Sequence, residues 1–141
     1  MKLSSLKDTQ KLAKKISQII KSGDTVFLYG EIGAGKTTFV RFFINNLEKF
    51  NKVRKSNILS PTFNIVYDYK IKKTKILHYD LYRLKSYNDI LELGIFENED
   101  KHIKIIEWPE LIKLKPKNRI EITLKYSKLE NSRNIKINSF G

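Results

Sequence analysis

Residues 30–37 read Gly30-Glu31-Ile32-Gly33-Ala34-Gly35-Lys36-Thr37, a complete Walker A loop. Such a loop works only where a buried strand delivers the chain to the N-terminus of a helix. Both flanks meet that demand. Thr25 to Tyr29 is a short apolar run bounded by Gly23-Asp24 and reads as a buried strand. After the loop, Phe39, Val40, Phe42, Phe43 and Leu47 recur at helical spacing. The glycines at 30, 33 and 35 allow successive backbone N–H groups to turn toward phosphate oxygens, and the helix dipole adds positive potential there. Gly30, Glu31, Ile32, Gly33, Ala34, Gly35, Lys36, Thr37 and Thr38 are therefore expected to hold the phosphates of a nucleoside triphosphate, with Lys36 bridging the β and γ groups and the Thr37 hydroxyl placed for Mg²⁺.

The rest of the chain supplies a sheet for that loop. Residues 7–22 carry a helical apolar stripe, with Asp8 or Thr9 available as a cap. Alternation at Phe63, Ile65, Tyr67 and Tyr69 predicts a strand, and the basic turn at 72–75 leads into a second strand ending at Asp80. A helix over 86–94 stops at Gly94, Ile103 to Ile106 form a further strand, and Pro109 opens a short helix through Leu114. Two strand-like segments, Ile120 to Tyr126 and Ile135 to Phe140, close the chain. The expectation is one α/β P-loop domain over residues 1–141, with a central mixed, mostly parallel sheet flanked by helices and antiparallel strands at its edge.

A P-loop also needs carboxylates. Asp80 and Glu107 each stand where an apolar strand ends, and ligands of α/β sheets collect at the carboxyl ends of strands. On these grounds either acid could serve the metal, and either could simply end a strand at a solvated edge. His78 shares a face with Asp80, and Ser60 and Thr62 flank Pro61 in a loop placed to sense the γ-phosphate. Arg83 and Arg133 are further cations for phosphate charge.

Zero Cys excludes a disulfide scaffold and cysteine catalysis. No signal peptide and no apolar run of membrane-spanning length is read, so a cytoplasmic protein without a membrane is expected. Lys plus Arg total 28 against 15 Asp plus Glu, a net charge of +13. That excess favours a polyanion such as tRNA, or reflects a lysine-rich composition, since the lysines are spread along the chain. The guanine-reading Asn-Lys-x-Asp segment of a GTPase is missing, and 141 residues leave little room for a kinase's lid and acceptor pocket. A minimal ATPase remains, with a small-molecule kinase or a non-hydrolysing assembly factor as alternatives.

The order of motifs is more specific than the loop alone. Gly30 to Arg41, then Ser60-Pro61-Thr62-Phe63, His78-Tyr79-Asp80-Leu81-Tyr82-Arg83-Leu84, Glu92-Leu93-Gly94 and Ile106-Glu107-Trp108-Pro109-Glu110 resemble the TsaE (YjeE) family over essentially the whole chain. The resemblance implies an ATPase of tRNA threonylcarbamoyladenosine biosynthesis that joins TsaD and TsaB, which act on adenosine 37 of tRNAs reading ANN codons. It further implies ATP and Mg²⁺ as cofactors, Thr37 with Glu107 at the metal, and Asp80 as the essential acid near the γ-phosphate, orienting water. Trp108 would lie beside the site, Thr9 near the base, and Arg133 would reach the nucleotide from the last hairpin. Glu31-Ile32 departs from the residues common at those positions, a change that leaves the backbone cradle intact.

Overall fold

A computed structural model of the chain describes residues 2–3, 6–97, 101–127 and 132–141. In chain order the elements are β1 (Lys2–Leu3), α1 (Leu6–Ile19), β2 (Thr25–Tyr29), α2 (Lys36–Phe50), β3 (Val66–Ile71), β4 (Thr74–Asp80), α3 (Tyr87–Leu93), β5 (Ile103–Glu107), a single 3₁₀ turn (Pro109–Leu111), β6 (Arg119–Ser127) and β7 (Ser132–Phe140). The described strands form one sheet in the order β1-β7-β6-β2-β5-β4-β3. Its centre, β6-β2-β5-β4, is parallel, and both flanks are antiparallel. This is the mixed sheet that the strand pattern predicts.

Alternation along the central strands sorts the core into two layers. Val26 and Leu28 of β2 and Ile103 and Ile105 of β5 pack with Leu12, Ala13 and Ile16 of α1 and with Phe39, Val40, Phe43 and Ile44 of α2. Phe27 and Ile106 point the other way, onto Ile90 of α3, Leu81 and Ile112. Every residue of β5 is buried, as expected for a parallel strand covered on both faces. Phe39 and Phe43, one helical turn apart, stack with ring centroids 6.2 Å apart and are wholly buried. Truncating either to Ala would cost about 3–5 kcal/mol.

The boundaries differ from the sequence expectation where tertiary demands compete with local pattern. Helix α1 begins at Leu6, so Asp8 and Thr9 lie in its first turn and do not cap it. Strand β3 begins only at Val66. Residues 62–64 turn, Ile65 adopts φ 69°, and its N–H bonds the Pro61 carbonyl at 2.6 Å, so the alternation at 63 and 65 belongs to a loop. The helical segment after Pro109 is one 3₁₀ turn ending at Leu111. Strand β1 escapes a periodicity reading because two residues carry no period. Residues 128–131, inside the connection expected between the last two strands, lie outside the described residues.

Candidate active site

Parallel pairing of β4 with β5 places Asp80 directly opposite Glu107 at the carboxyl ends of both strands. The same register puts the Walker A loop, which leaves β2 on the other side of β5, beside these acids. Together they line a cavity of about 420 Å³ with Ile32, Gly33, Gly35, Lys36, Thr37, Thr38, Ser60, Thr62, Tyr82 and Trp108.

Loop geometry depends on two of its glycines. Gly35 stands at φ 102°, the left-handed region, immediately before the first turn of α2. Gly30 approaches β6 so closely that a Cβ there would sit 2.7 Å from the Leu124 carbonyl oxygen. Lys36, only 6% exposed, donates from Nζ to the Gly30 carbonyl, and the same Nζ lies 3.6 Å from the centroid of the Trp108 ring. Burial pulls the Lys36 ammonium below its ordinary range, while Glu107, Asp80, Glu110 and Glu31 oppose that shift. An amine held this way is a poorly hydrated cation with carboxylates around it, suited to a multiply charged oxyanion.

The acids are held firmly. Asp80 accepts the Tyr82 backbone N–H through Oδ1 at 3.0 Å and the Thr62 hydroxyl through Oδ2 at 3.2 Å. Thr62 in turn meets Ser60 Oγ at 2.8 Å, so the loop around Pro61 is tied to the end of β4. Glu107, 2% exposed, shares a 2.5 Å hydrogen bond between Oε2 and Nε2 of the fully buried His78. His78 Nδ1 is buried with no hydrogen-bond partner, which fits the tautomer carrying its proton on Nε2. Trp108 then turns at φ 58°, which brings its ring onto Lys36 and within 4.8 Å of the Tyr82 ring centroid.

The donors suit a Mg²⁺–nucleotide better than a free metal ion. Among the described residues no three His, Cys, Asp or Glu side chains gather into a metal-binding group. The cavity does offer the Thr37 hydroxyl and the Glu107 carboxylate, hard oxygen ligands of the kind that share Mg²⁺ with substrate phosphates.

Other expected residues take different places. Gly30, Glu31 and Ala34 line a neighbouring hollow of about 620 Å³ with Ile32, Trp108 and Tyr126, outside the acidic cavity. Arg133 reaches back from β7, and its Nε donates to the Ala34 carbonyl at 3.1 Å. Thr9 is buried on α1 and lines neither space. Arg83 lies over the Phe63 ring at 5.4 Å, away from the cavity lining. Tyr82 was not singled out by residue type, although its position two residues beyond Asp80 is the signal that its N–H can bond that carboxylate.

Comparison with known proteins gives one consistent answer. The family model "Threonylcarbamoyl adenosine biosynthesis protein TsaE" matches residues 3–135. A Rickettsia felis protein named tRNA threonylcarbamoyladenosine biosynthesis protein TsaE is 46% identical over 111 residues, covering 79% of this chain and 63% of its own length. The protein of the same name from Rickettsia prowazekii is 42% identical over 134 residues, covering 94% of this chain and 89% of the relative. The chain thus spans less than two thirds of the first relative but most of the second. The crystal structure of YdiB from Bacillus subtilis superposes with a TM-score of 0.73 over 100% of this chain and 84% of that one, at 24% identity, a likeness of fold. The chain belongs to the TsaE family.

Proposed function

We propose that this chain is an ATPase that works with TsaD and TsaB homologues in forming the threonylcarbamoyl group on adenosine 37 of tRNAs reading ANN codons. The observation that carries the ATPase reading is the in-register pair Asp80 and Glu107 facing Lys36 and Thr37 across one 420 Å³ cavity. The names of the relatives support the pathway.

In this reading the loop amides and Lys36 bind the β- and γ-phosphates. Thr37 and Glu107 would hold Mg²⁺, whose charge would offset that of the phosphate oxygens. His78 keeps the Glu107 carboxylate aimed at the cavity through its hydrogen bond to Oε2. Asp80, fixed from two sides, retains lone pairs for a further donor and orients a water in line with the γ-phosphorus. As the water oxygen bonds to phosphorus, the bond from phosphorus to the β–γ bridging oxygen breaks, ADP leaves, and the proton released from water ends on inorganic phosphate or solvent. Trp108 covers Lys36 and limits access of bulk water to the site. Ile32 and Thr38 extend the phosphate cradle, Glu31 stands beside it, and Arg133 braces it through Ala34. A cytoplasmic location accompanies a partner complex acting on tRNA. Among the described residues no helix is long and apolar enough to cross a membrane.

The test is ATP hydrolysis by the purified chain, alone and with TsaD and TsaB homologues of the same organism. Slow turnover alone and faster turnover with the partners is expected, because no arginine lines the acidic cavity among the described residues. Equal rates with and without partners would contradict the role in that complex. A phosphorylated acceptor in place of free phosphate would indicate a kinase, and partner binding that needs ATP without its hydrolysis would indicate an assembly factor.

A further inference from the structure

On the face of the sheet covered by α1 and α2, the two helices and the chain after α2 border a groove of about 980 Å³. Its cations are Lys7, Lys11 and Lys14 of α1, Arg41 and Lys49 of α2, and Lys55 of the following loop, and no carboxylate lines it. All six are exposed, and among the described residues none of them forms an ion pair. Lys7, Lys11 and Lys14 follow a spacing of four and three residues, so they stand in one row on the helix. Like charges in such a row repel, and nothing in the groove relieves them. Each helix contains a single acid, Asp8 or Glu48, and neither lines the groove. Glu48 is 2% exposed and turned inward, where its carboxylate accepts the backbone N–H and the hydroxyl of Ser56. Glu48 is thus engaged behind Ser56, and the lining itself carries cations from both helices, in rows about 10–12 Å long at the helical rise per residue.

We propose that this groove binds the sugar–phosphate backbone of a structured RNA. Two observations favour RNA over an acidic protein surface. The apolar side chains on the lining, Phe42, Val53 and Ile58, are half-buried or buried, and among the described residues none of the large exposed apolar side chains lies there, so the groove offers few anchors of the kind that dominate protein interfaces. The lining carries cations from two neighbouring helices and no carboxylate, a pattern that suits the repeating phosphates of a nucleic-acid backbone. The groove shares no lining residue with the nucleotide cavity, so the proposal stands apart from the ATPase reading. Helix α2 connects the two regions, starting at Lys36 in the cavity and carrying Arg41 and Lys49 along the groove.

The test is binding of a labelled tRNA transcript across a series of salt concentrations. It compares the native chain, a groove variant (Lys11→Gln, Lys14→Gln, Lys49→Gln) and a charge-matched control at the β3–β4 turn (Lys70→Gln, Lys72→Gln, Lys73→Gln). The native chain should bind with an affinity that falls steeply with salt. The groove variant should bind at least about tenfold more weakly, with a log–log salt slope shallower by roughly 2–3, because each lost phosphate contact removes about 0.7–0.9 from the slope. The control should stay within about threefold of native, and the groove variant should retain native ATP affinity and melting temperature. Equal losses in both variants, no loss in the groove variant, or no binding by the native chain at low salt would each overturn the proposal. So would a groove variant that keeps RNA binding and instead loses its association with a protein partner.

Discussion

In the cavity at the ends of β4 and β5, Lys36, Asp80 and Glu107 are buried and each is held by a named contact, whereas the cations along the α1–α2 groove stand in solvent without a counter-ion among the described residues. The difference is one of task. Charge that must act on one atom of a substrate is fixed by short hydrogen bonds in a place where water screens little. Charge that collects a long polyanion works at the surface, on flexible stems, through the number of cations in a row. The buried group is the more costly to disturb, and perturbations of the two regions should differ in size and in kind.

The largest effect belongs to Lys36. Lys36→Ala removes the only lysine that lines the acidic cavity among the described residues and should weaken ATP binding by roughly 100-fold, from the loss of one or two charge-assisted hydrogen bonds. Calorimetric titration with ATP measures it, and RNA affinity should change little, since Lys36 does not line the groove. A matched fall in both affinities would erase the distinction between the regions.

Next comes His78. His78→Ala leaves the Glu107 carboxylate buried without its partner and should lower unfolding stability by about 3 kcal/mol, read from urea denaturation. A change below about 1 kcal/mol would mean that the pair is not the internal brace described above, since a loss that small is typical of exposed pairs.

Smaller still is the effect of Tyr29, at the end of β2 just before the loop. Burial, and then the neighbouring Glu121 carboxylate, push its phenol up to about 12 from 10.0. A raised value means that the folded state prefers the neutral phenol. Its contribution to stability is thus complete below about pH 10 and is lost as pH rises from 10 through about 12. The difference between the alkaline absorbance titrations of the native chain and Tyr29→Phe should show one tyrosine titrating near 12. A component near 10 would place Tyr29 in freer contact with water than the fold indicates.

Much of the nucleotide cavity was legible in the chain because its parts are local. The Walker A loop, the apolar run of β2 and the two acids that end apolar runs each announce themselves within a few residues. The meeting of Asp80 with Glu107 follows from a general property of parallel strands, whose carboxyl ends share one edge of the sheet. The loop from 60 to 65 was less legible, since alternation at Phe63 and Ile65 mimics a strand while Thr62 is drawn to Asp80 and Ile65 turns to the Pro61 carbonyl. The groove was illegible for a different reason. Its cations are spread from Lys7 to Lys55, among many lysines with no common neighbourhood in sequence, and only the packing of α1 on α2 brings them into one place.

The central claim is that Asp80 acts on the hydrolytic water and not on nucleotide affinity, and the most direct measurement is to determine ATP affinity and turnover side by side for the native chain and Asp80→Ala in the presence of the partner complex. The account predicts an affinity within about threefold of native and a turnover lower by at least about 100-fold, the contribution usual for a positioned general base or water-orienting group. Turnover close to native, or a loss of affinity that accounts for the whole fall in rate, would contradict it.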